Sequence, residues 1–395
     1  MDVRLVAITT MLLLFAAACS DDDDPGVDAG DVGDVSLSDV DPDDADATSD
    51  ADAEGPAEPS CELRLADENG EVFDTLSEFC FFGDDTAAHE PVDGVVPYTV
   101  TAELYSDLSR KKRFIVIPDG ETIGFDATEP WSWPDDSILI KTFYYPVDAT
   151  DPDSGRQILE TRLLHKRNGE WEADSYVWDD DQEDAELHNF GRRVDVTFID
   201  EEGESVEIDY RIPNRNQCTT CHGQDGDLSP LGPRTRQLLS PYEPGGENPT
   251  QIENLMGRDL FDEPPADVDE LFGVADPYDE SESLDDRARA YLDANCAHCH
   301  NPDGRASSSN LYLGVDIVNP NRLGICKTPV AAGSGSGGHS FDIVPGEPDE
   351  SILVFRMETT DASIKMPELP ITTNDEFGIE LVRQWIAAMD PQDCD

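Results

Sequence analysis

The chain has 395 residues, of which 88 are Asp or Glu and 26 are Lys or Arg, so its formal net charge is −62. This length is sufficient for two or three domains. A charge of this sign and size excludes a nucleic acid partner, because nucleic-acid-binding surfaces are basic. It does not by itself indicate a metal-binding surface, because 16 of the acidic residues lie in the single segment 20–60.

Residues 1–19 have the features of an export signal. Arg4 provides a positive charge, and the apolar core Leu5–Phe15 is too short to span a membrane as a mature helix. Cys19 follows three alanines, which resembles a bacterial lipobox, so Cys19 is the predicted lipidation site. An ordinary signal peptide cleaved after a small residue is the alternative. Ser20 at the next position resembles the sorting signal of outer-membrane lipoproteins.

Residues 20–60 contain no Lys, Arg or His and almost no large apolar residue. Such a segment cannot bury enough apolar surface to offset the entropy lost on ordering. Its like charges also repel one another. The composition therefore predicts a disordered acidic tether between the lipid anchor and the folded part of the chain.

Residues 61–212 show the alternation of polar and apolar side chains that is typical of β-strands. Asn168-Gly169 is a tight-turn signal between segments 158–165 and 171–178, and segments 194–198 and 206–212 form a second pair. These hairpins predict a β-rich domain, most simply a sandwich. The region also contains the tryptophans Trp131, Trp133, Trp171 and Trp178. Core packing is favoured for them over a ligand-binding platform.

Two copies of the pattern Cys-x-x-Cys-His occur, at 218–222 and 296–300. This pattern is the attachment signature of c-type haem. Two thiols one helical turn apart can each add to a haem vinyl group, and the adjacent His then becomes an axial ligand of the iron. The sequence therefore predicts two covalently attached haems. The predicted attachment residues and proximal ligands are Cys218, Cys221 and His222 in the first motif, and Cys296, Cys299 and His300 in the second.

Two other chemistries use paired cysteines, and both are less favoured. Zinc sites with four Cys ligands usually space their two pairs about 15–20 residues apart, whereas 74 residues separate Cys221 from Cys296. A thioredoxin-type redox motif requires a βαβ context, which neither copy has. His298, inside the second motif, is interpreted as a structural residue.

The segments around the two motifs differ in character. Segment 213–280 has Pro-rich loops and one predicted helix, at about Gln251–Asp259, so it is expected to be a partial cytochrome c-like haem-binding segment. Segment 281–395 has a helix leading into the second motif, a capping-box pattern at Thr373–Glu376 and a terminal amphipathic helix. The expected fold is therefore α+β and multidomain. A β-rich domain is followed by an all-α, cytochrome c-like haem region that ends in a complete module.

Four cysteines remain after Cys19 and the four haem thiols are set aside. They are Cys61, Cys80, Cys326 and Cys394. In an exported protein such thiols are expected to be paired. Sequence proximity and the domain division favour Cys61–Cys80 and Cys326–Cys394, and two other pairings are possible.

Short phrases outside the two motifs are spread over residues 75–390. They are Leu104–Asp107, Lys112–Phe114, Ile140–Phe143, Glu160–Leu164, Tyr210–Asn214, Tyr291–Asn295, Pro345-Gly346 and Lys365–Pro367. Together with the motifs they resemble a family of lipid-anchored di-haem c-type cytochromes whose role is largely unassigned. The resemblance implies a β-rich N-terminal domain and a C-terminal cytochrome c module. The acidic segment is outside the resemblance, and the phrases carry no known chemistry.

The resemblance also suggests residues around each haem. Met366-Pro367 resembles the Met-Pro ligand loop of cytochromes c, so Met366 is the predicted sixth ligand of the second haem, with Met357 as the rival. For the first haem Met256 is a weaker candidate, and its sixth site could instead be open or filled by a distant histidine. The histidines that could fill it are His89, His165, His188 and His339. Pro233 is the expected carbonyl partner of His222. Arg356 is expected to pair with a haem propionate or a surface acid.

The function predicted from the sequence is that of a membrane-tethered electron carrier. It would pass single electrons between redox proteins of the bacterial cell envelope, anchored in the outer membrane and facing the periplasm or the cell surface. Electron transfer is favoured over catalysis, because a filled sixth site leaves no position for a substrate. One competing function is a di-haem, peroxidase-like enzyme with an open first haem. Another is a polymer- or protein-binding β domain with a haem electron outlet.

Overall fold

The computed structural model describes residues 61–394, except 189, 225–226, 243–248, 331 and 369. These residues belong to one compact unit. The predicted export signal, Cys19 and the acidic tether lie outside the described residues. Within the described part, no helix combines the length and the apolar character that crossing a membrane requires.

An antiparallel sheet of six strands, each hydrogen-bonded to the next along the chain, dominates the N-terminal half. Its strands are β1 (Val95–Tyr98), β2 (Arg110–Val116), β3 (Ile138–Pro146), β4 (Arg156–Arg167), β5 (Glu170–Trp178) and β6 (Ala185–Leu187). Two smaller antiparallel pairs are β7 (Arg192–Ile199) with β8 (Ser205–Ile212), and β9 (Gly223–Gln224) with β10 (Asp227–Leu228).

Both predicted hairpins are confirmed. Arg167 of β4 pairs with Glu170 of β5 across Asn168 and Gly169, whose φ angles are 52° and 83°. Two consecutive positive φ angles are what a two-residue hairpin turn requires, and Asn and Gly tolerate them best. The second hairpin joins β7 to β8, with Gly203 at a φ of 81° in its turn.

The predicted sandwich is wrong, because the sheet packs against loops and short helices rather than a second large sheet. On one face, Phe114 and Ile140 contact a core supplied largely by segment 73–82, which precedes the sheet. On the other face, Ile115 and Leu139 contact residues of segments 123–133 and 252–261. The β7–β8 ribbon covers only one end of the sheet. Both faces of a single layer are thus buried, whereas each sheet of a sandwich buries one face and exposes the other.

The structure has six α-helices in its described part. They are α1 (Cys218–His222), α2 (Gln251–Gly257), α3 (Leu284–Asn295), α4 (Pro320–Leu323), α5 (Ile352–Glu358) and α6 (Glu376–Ala387). One-turn 3₁₀ helices lie at Ser77–Phe79, Thr86–Ala88, Arg215–Gln217, Thr235–Gln237, Val268–Glu270, Ser307–Ser309, Gly333–Ser336 and Pro348–Glu350. The predicted helix near Gln251–Asp259 is confirmed as α2.

The expected all-α, cytochrome c-like region is wrong. Only α3 and α6 reach 12 residues, and most of the chain between them forms turns and loops. That stretch is rich in Gly, Pro, Ser and Asn, which favour turns because they adopt or stabilise non-helical backbone angles. Its core combines α3, α5 and α6 with loop residues such as Leu313 and Ile343.

Helices α3 and α6 cross in close contact at Tyr291 and Gly378. The Tyr291 hydroxyl donates to Asp375 Oδ2 at 2.9 Å, and Asp375 Oδ1 accepts from Gly378 N at 3.0 Å. Asp375 is thus the N-cap of α6, so the capping box predicted to begin at Thr373 is wrong. Thr373 donates instead through its backbone N and its hydroxyl to Asp107 in the loop before β2.

The structure pairs Cys61 with Cys80 and Cys326 with Cys394 in disulfides. This is the pairing that sequence proximity favoured. The free cysteines in the described part are the four that belong to the two Cys-x-x-Cys-His motifs.

We expect acid to destabilise the fold through His89, which is 2 % exposed. Its Nε2 lies 2.9 Å from Thr142 Oγ1, and burial lowers the pKa of His89 to about 3. The unfolded chain takes up this proton near its ordinary pKa of about 6.5, whereas the folded chain does so only at the lowered pKa. The free energy of unfolding should therefore decrease as the pH falls from about 6.5 towards 3.

Urea unfolding at several pH values between about 7 and 4 measures this dependence. A His89→Gln variant keeps a polar group but cannot titrate, so its stability should vary less with pH than that of the natural chain. His339→Gln controls for the loss of a histidine elsewhere. If the free energy of unfolding decreases by the same amount at low pH in all three proteins, the assignment to His89 is contradicted.

Candidate functional site

A cavity of about 610 Å³ lies between the six-stranded sheet and the two Cys-x-x-Cys-His motifs. The motif residues in its lining are Cys218, Cys221, His222, Ala297, His298 and His300, whereas Cys296 and Cys299 are not among the lining residues. Pro367 and Glu368, which follow the predicted ligand Met366, also line it. One cavity therefore contacts both predicted haem-attachment sequences.

The two motifs touch each other although 73 residues separate them in the chain. The thiol of Cys299 lies 3.7 Å from the backbone oxygen of Thr220, inside the first motif. A cofactor attached at one motif would therefore lie beside a cofactor attached at the other. Sequence patterns cannot predict that the two motifs lie close together, because this depends on how the loops of segment 213–280 pack.

Each motif forms a helical turn, which is the local structure that haem attachment needs. The first motif is α1 itself, preceded by a capping box in which Asn214 and Gln217 bond each other's backbone N–H groups. The second motif begins at Cys296, the C-cap of α3, and His300 N donates to Cys296 O at 2.9 Å. The two thiols of each motif are thus about one turn apart.

Asn295, immediately before the second motif, connects α3 to the loop between β1 and β2. Its Oδ1 accepts from Tyr105 N at 2.7 Å, and its Nδ2 donates to Glu103 O at 3.1 Å. A bidentate ion pair between Arg236 and Asp293, with both N–O distances at 3.0 Å, adds a contact from segment 213–280. The position of the second motif is therefore determined by the loop before β2 and by segment 213–280 as well as by its own helix.

Both motif histidines have the tautomer that metal ligation requires. His222 Nδ1 lies 3.0 Å from the Ser229 carbonyl oxygen, and His300 Nδ1 lies 3.2 Å from the Leu311 carbonyl oxygen. A carbonyl oxygen can only accept, so each Nδ1 carries the proton and each Nε2 keeps a lone pair. The carbonyl partner of His222 is Ser229, and the expected partner Pro233 is wrong.

Burial keeps these groups uncharged. It lowers the pKa of His222 to about 4 and also lowers the pKa of His300. It raises the pKa of Cys296 to about 12 and of Cys299 to about 11. A neutral imidazole is the form that binds iron. No cluster of three or more His, Cys, Asp or Glu in the described ranges is arranged to hold a bare metal ion.

The loop of Met366 lies at the edge of the cavity. Met366 N donates to Arg356 O at 2.7 Å, and Arg356 Nε donates to Ile364 O at 2.8 Å. Arg356 therefore binds this loop through both its backbone oxygen and its side chain. No ion pair joins Arg356 to a surface acid in the described part of the chain, and its pairing with a haem propionate stays a prediction. The Met366 side chain is half-buried and is not among the residues that line the cavity. The rival Met357 is 6 % exposed and packs in the core of α5 and α6.

The structure does not bring Met256 to the cavity lining. Its side chain packs beside Ile252 and Leu255 in the core on one face of the sheet. Three of the candidate histidines lie against partners elsewhere, His89 against Thr142, His165 against Arg167 and His339 against Glu350. The cavity is lined by His188 and by His298, which was interpreted from the sequence as structural. The buried Nδ1 of His298 has no hydrogen-bond partner in the described part of the chain.

The tryptophans of the β region pack internally. Trp131, Trp133 and Trp178 are buried, and the half-buried Trp171 meets Trp133 edge-on at 6.2 Å. The described residues therefore offer no exposed tryptophan platform for a polymer.

The donor set fits covalently attached haem. Each motif provides two cysteines that form no disulfide, on a helical turn. The Nδ1 of each motif histidine lies against a backbone carbonyl, and both histidines line the cavity. Residues Cys218, Cys221, Cys296 and Cys299 would attach the cofactor, and His222 and His300 would ligate its iron.

Comparisons with known proteins find no matching family model, no similar curated protein and no similar solved structure.

Proposed function

We propose that the protein is a membrane-tethered di-haem c-type cytochrome that carries single electrons between redox proteins of the bacterial cell envelope. The observation that supports this most is the single cavity contacted by both motifs. In this cavity each motif histidine has its Nδ1 on a backbone carbonyl. The proposal concerns the cofactors and the reaction, and it does not depend on a cytochrome c fold.

A bound c-type haem supplies reversible one-electron chemistry at its iron. The residues of the chain determine where that chemistry takes place. The thiols would anchor the two cofactors, and the carbonyls of Ser229 and Leu311 fix the orientation of the two imidazoles. Met366 is the proposed sixth ligand of the second haem. Met256 is the weaker proposal for the first haem, because its side chain packs away from the cavity.

The cellular location belongs to the same proposal. Export by residues 1–19 and lipidation of Cys19 would place the chain at the outer membrane, facing the periplasm or the cell surface. Two disulfides are typical of proteins outside the cytoplasm. The electron donor and acceptor would then be other envelope redox proteins.

The purified full-length protein allows a direct test. The carrier function predicts two covalent haems per chain, two one-electron steps in a redox titration, and slow or no binding of CO by the reduced protein. Absence of haem would refute the proposal. A peroxidase-like enzyme with an open first haem is the second candidate, because Met256 lies away from the cavity. Rapid CO binding and peroxide turnover that Met256→Ala leaves intact would favour that enzyme.

Met366→Ala and Met357→Ala form a matched pair that tests the sixth ligand of the second haem. Loss of the Met366 thioether should abolish the Fe–S charge-transfer band in the far-red spectrum and lower the potential, because thioether ligation favours the reduced iron. Met357→Ala should retain the band and lower the free energy of unfolding by about 2–5 kcal/mol, the cost of truncating a buried Met. Loss of the band in Met357→Ala alone would assign the ligand to Met357.

A further inference from the structure

We propose that Lys141, with Arg113 and Arg162 on either side, forms a carboxylate-binding site in the cavity wall, and that its occupant is a haem propionate. We call these three residues the cationic row. The inference rests on the proposed function and deepens it, because it gives the six-stranded sheet a role in holding the cofactor.

The strand register places the three cations in line. Arg113 of β2 is directly opposite Lys141 of β3, and Lys141 is directly opposite Arg162 of β4. Directly opposed residues of an antiparallel pair lie on the same face, with Cβ atoms about 4.5–5.5 Å apart. All three side chains line the cavity. Like charges in this arrangement destabilise a sheet unless an anion lies over them.

The chain itself neutralises only the two ends of the row. Arg113 Nη1 lies 2.9 Å from Glu103 Oε1, and Arg162 Nε donates to Glu160 Oε2 at 2.8 Å. Lys141 has no hydrogen bond or ion pair with any residue that the structure describes, and its Nζ lies 4.9 Å from the centre of the Phe143 ring. The central ammonium therefore faces the cavity without an anionic partner of its own. Removing an ammonium from water without such a partner is costly.

Lys141 lies in the wall of the cavity that both motifs also line. The motif residues that line this cavity together with Lys141 include Cys221, His222 and His298. A haem attached in this cavity would thus lie within electrostatic range of the ammonium. The propionates are the carboxylates that such a haem carries.

Other charged and titratable groups interact electrostatically with Lys141 or with the residues that surround it. They are Glu103 in the loop before β2, Lys111 and Arg113 on β2, Glu160 and Arg162 on β4, and His222 and His298 in the motifs. Glu103 and Glu160 lie against Arg113 and Arg162, which leaves Lys141 as the cation available to a new carboxylate.

Lys141→Met removes the charge while keeping most of the side-chain volume. The matched control is Lys112→Met. Lys112 is opposite Thr142, on the other face of the sheet, and does not line the cavity. A third variant, Lys141→Arg, keeps the charge and shows whether the position tolerates substitution. The readout is the midpoint potential of each haem, measured in the purified full-length protein between about pH 5 and pH 9.

Lys141→Met should lower the potential of one haem, because an unneutralised propionate stabilises the ferric iron. We expect the ferric-to-ferrous ratio at a fixed potential to change on the order of tenfold, which corresponds to about 59 mV for one electron. The same potential should become more dependent on pH, because the free propionate takes up a proton more readily. Lys112→Met and Lys141→Arg should keep the natural potentials.

Three outcomes would overturn the inference. If the natural protein holds two haems and Lys141→Met leaves both potentials unchanged, the cationic row does not bind a propionate. If added acetate shifts the natural potentials and Lys141→Met abolishes that response, the occupant is a free carboxylate. If the natural protein contains no haem, the proposed function and this inference fail together.

Discussion

A Cys218→Ala/Cys221→Ala double variant should carry one covalent haem instead of two. Both thiols line the shared cavity, and covalent attachment needs them. The expected result is loss of half of the haem absorbance per chain, with the haem of the second motif retained. A Cys296→Ala/Cys299→Ala variant should lose the other haem. Intact mass measured under denaturing conditions counts the attached haems directly.

Thr219→Ala provides the control for the first motif. Thr219 lies between the two cysteines, and its hydroxyl donates only to the backbone oxygen of Asn216 at 2.8 Å. This variant should keep two haems, because neither attachment nor ligation uses the hydroxyl. Two covalent haems in the Cys218→Ala/Cys221→Ala protein would contradict the assignment of the first motif.

Gly378→Ala should lower the free energy of unfolding by about 1–3 kcal/mol, the usual cost of overpacking a tight contact. A methyl group at this position would overlap the hydroxyl and ring of Tyr291, where α6 crosses α3. Because α3 leads into the second motif, the variant should also alter the spectrum of the haem at Cys296 and Cys299. Urea unfolding and the absorption spectrum measure the two effects.

Gly257→Ala is the matched control for this substitution. Gly257 is the last residue of α2, and a methyl group there would have no neighbour within 4 Å. The substitution should leave stability unchanged or raise it slightly, because Ala loses less conformational entropy than Gly on folding. Equal losses of stability in the two variants would show that the α3–α6 contact is not the cause.

Local patterns predicted local structure well in this chain. The turn at Asn168-Gly169 requires positive φ angles that few other residues adopt, so its position could be predicted from two letters of the sequence. The helix predicted at about Gln251–Asp259 is observed as α2, at Gln251–Gly257. These features depend on neighbours within a few residues, which a sequence displays directly.

The errors concern how elements pack against one another. The alternation of polar and apolar side chains predicted a sandwich, but here loops from segments 73–82 and 123–133 cover the two faces of one sheet. The helices before and after the second motif suggested an all-α module, yet the chain between α3 and α6 mostly forms turns and loops. The sequence predicted that Thr373 begins a capping box, but its hydroxyl donates to Asp107, 266 residues away.

The sequence alone indicated the chemistry that is proposed for this chain. The cysteines and histidines of the two motifs are recognisable because attachment of a haem needs two thiols and an imidazole at fixed short spacing. The tertiary structure decided how these groups are combined. It brings Cys299 against Thr220 and turns both motifs towards one cavity. It also aligns Arg113, Lys141 and Arg162 across three strands. The cations lie in separate segments of the sequence, and only the hydrogen-bonding register of the sheet places them side by side.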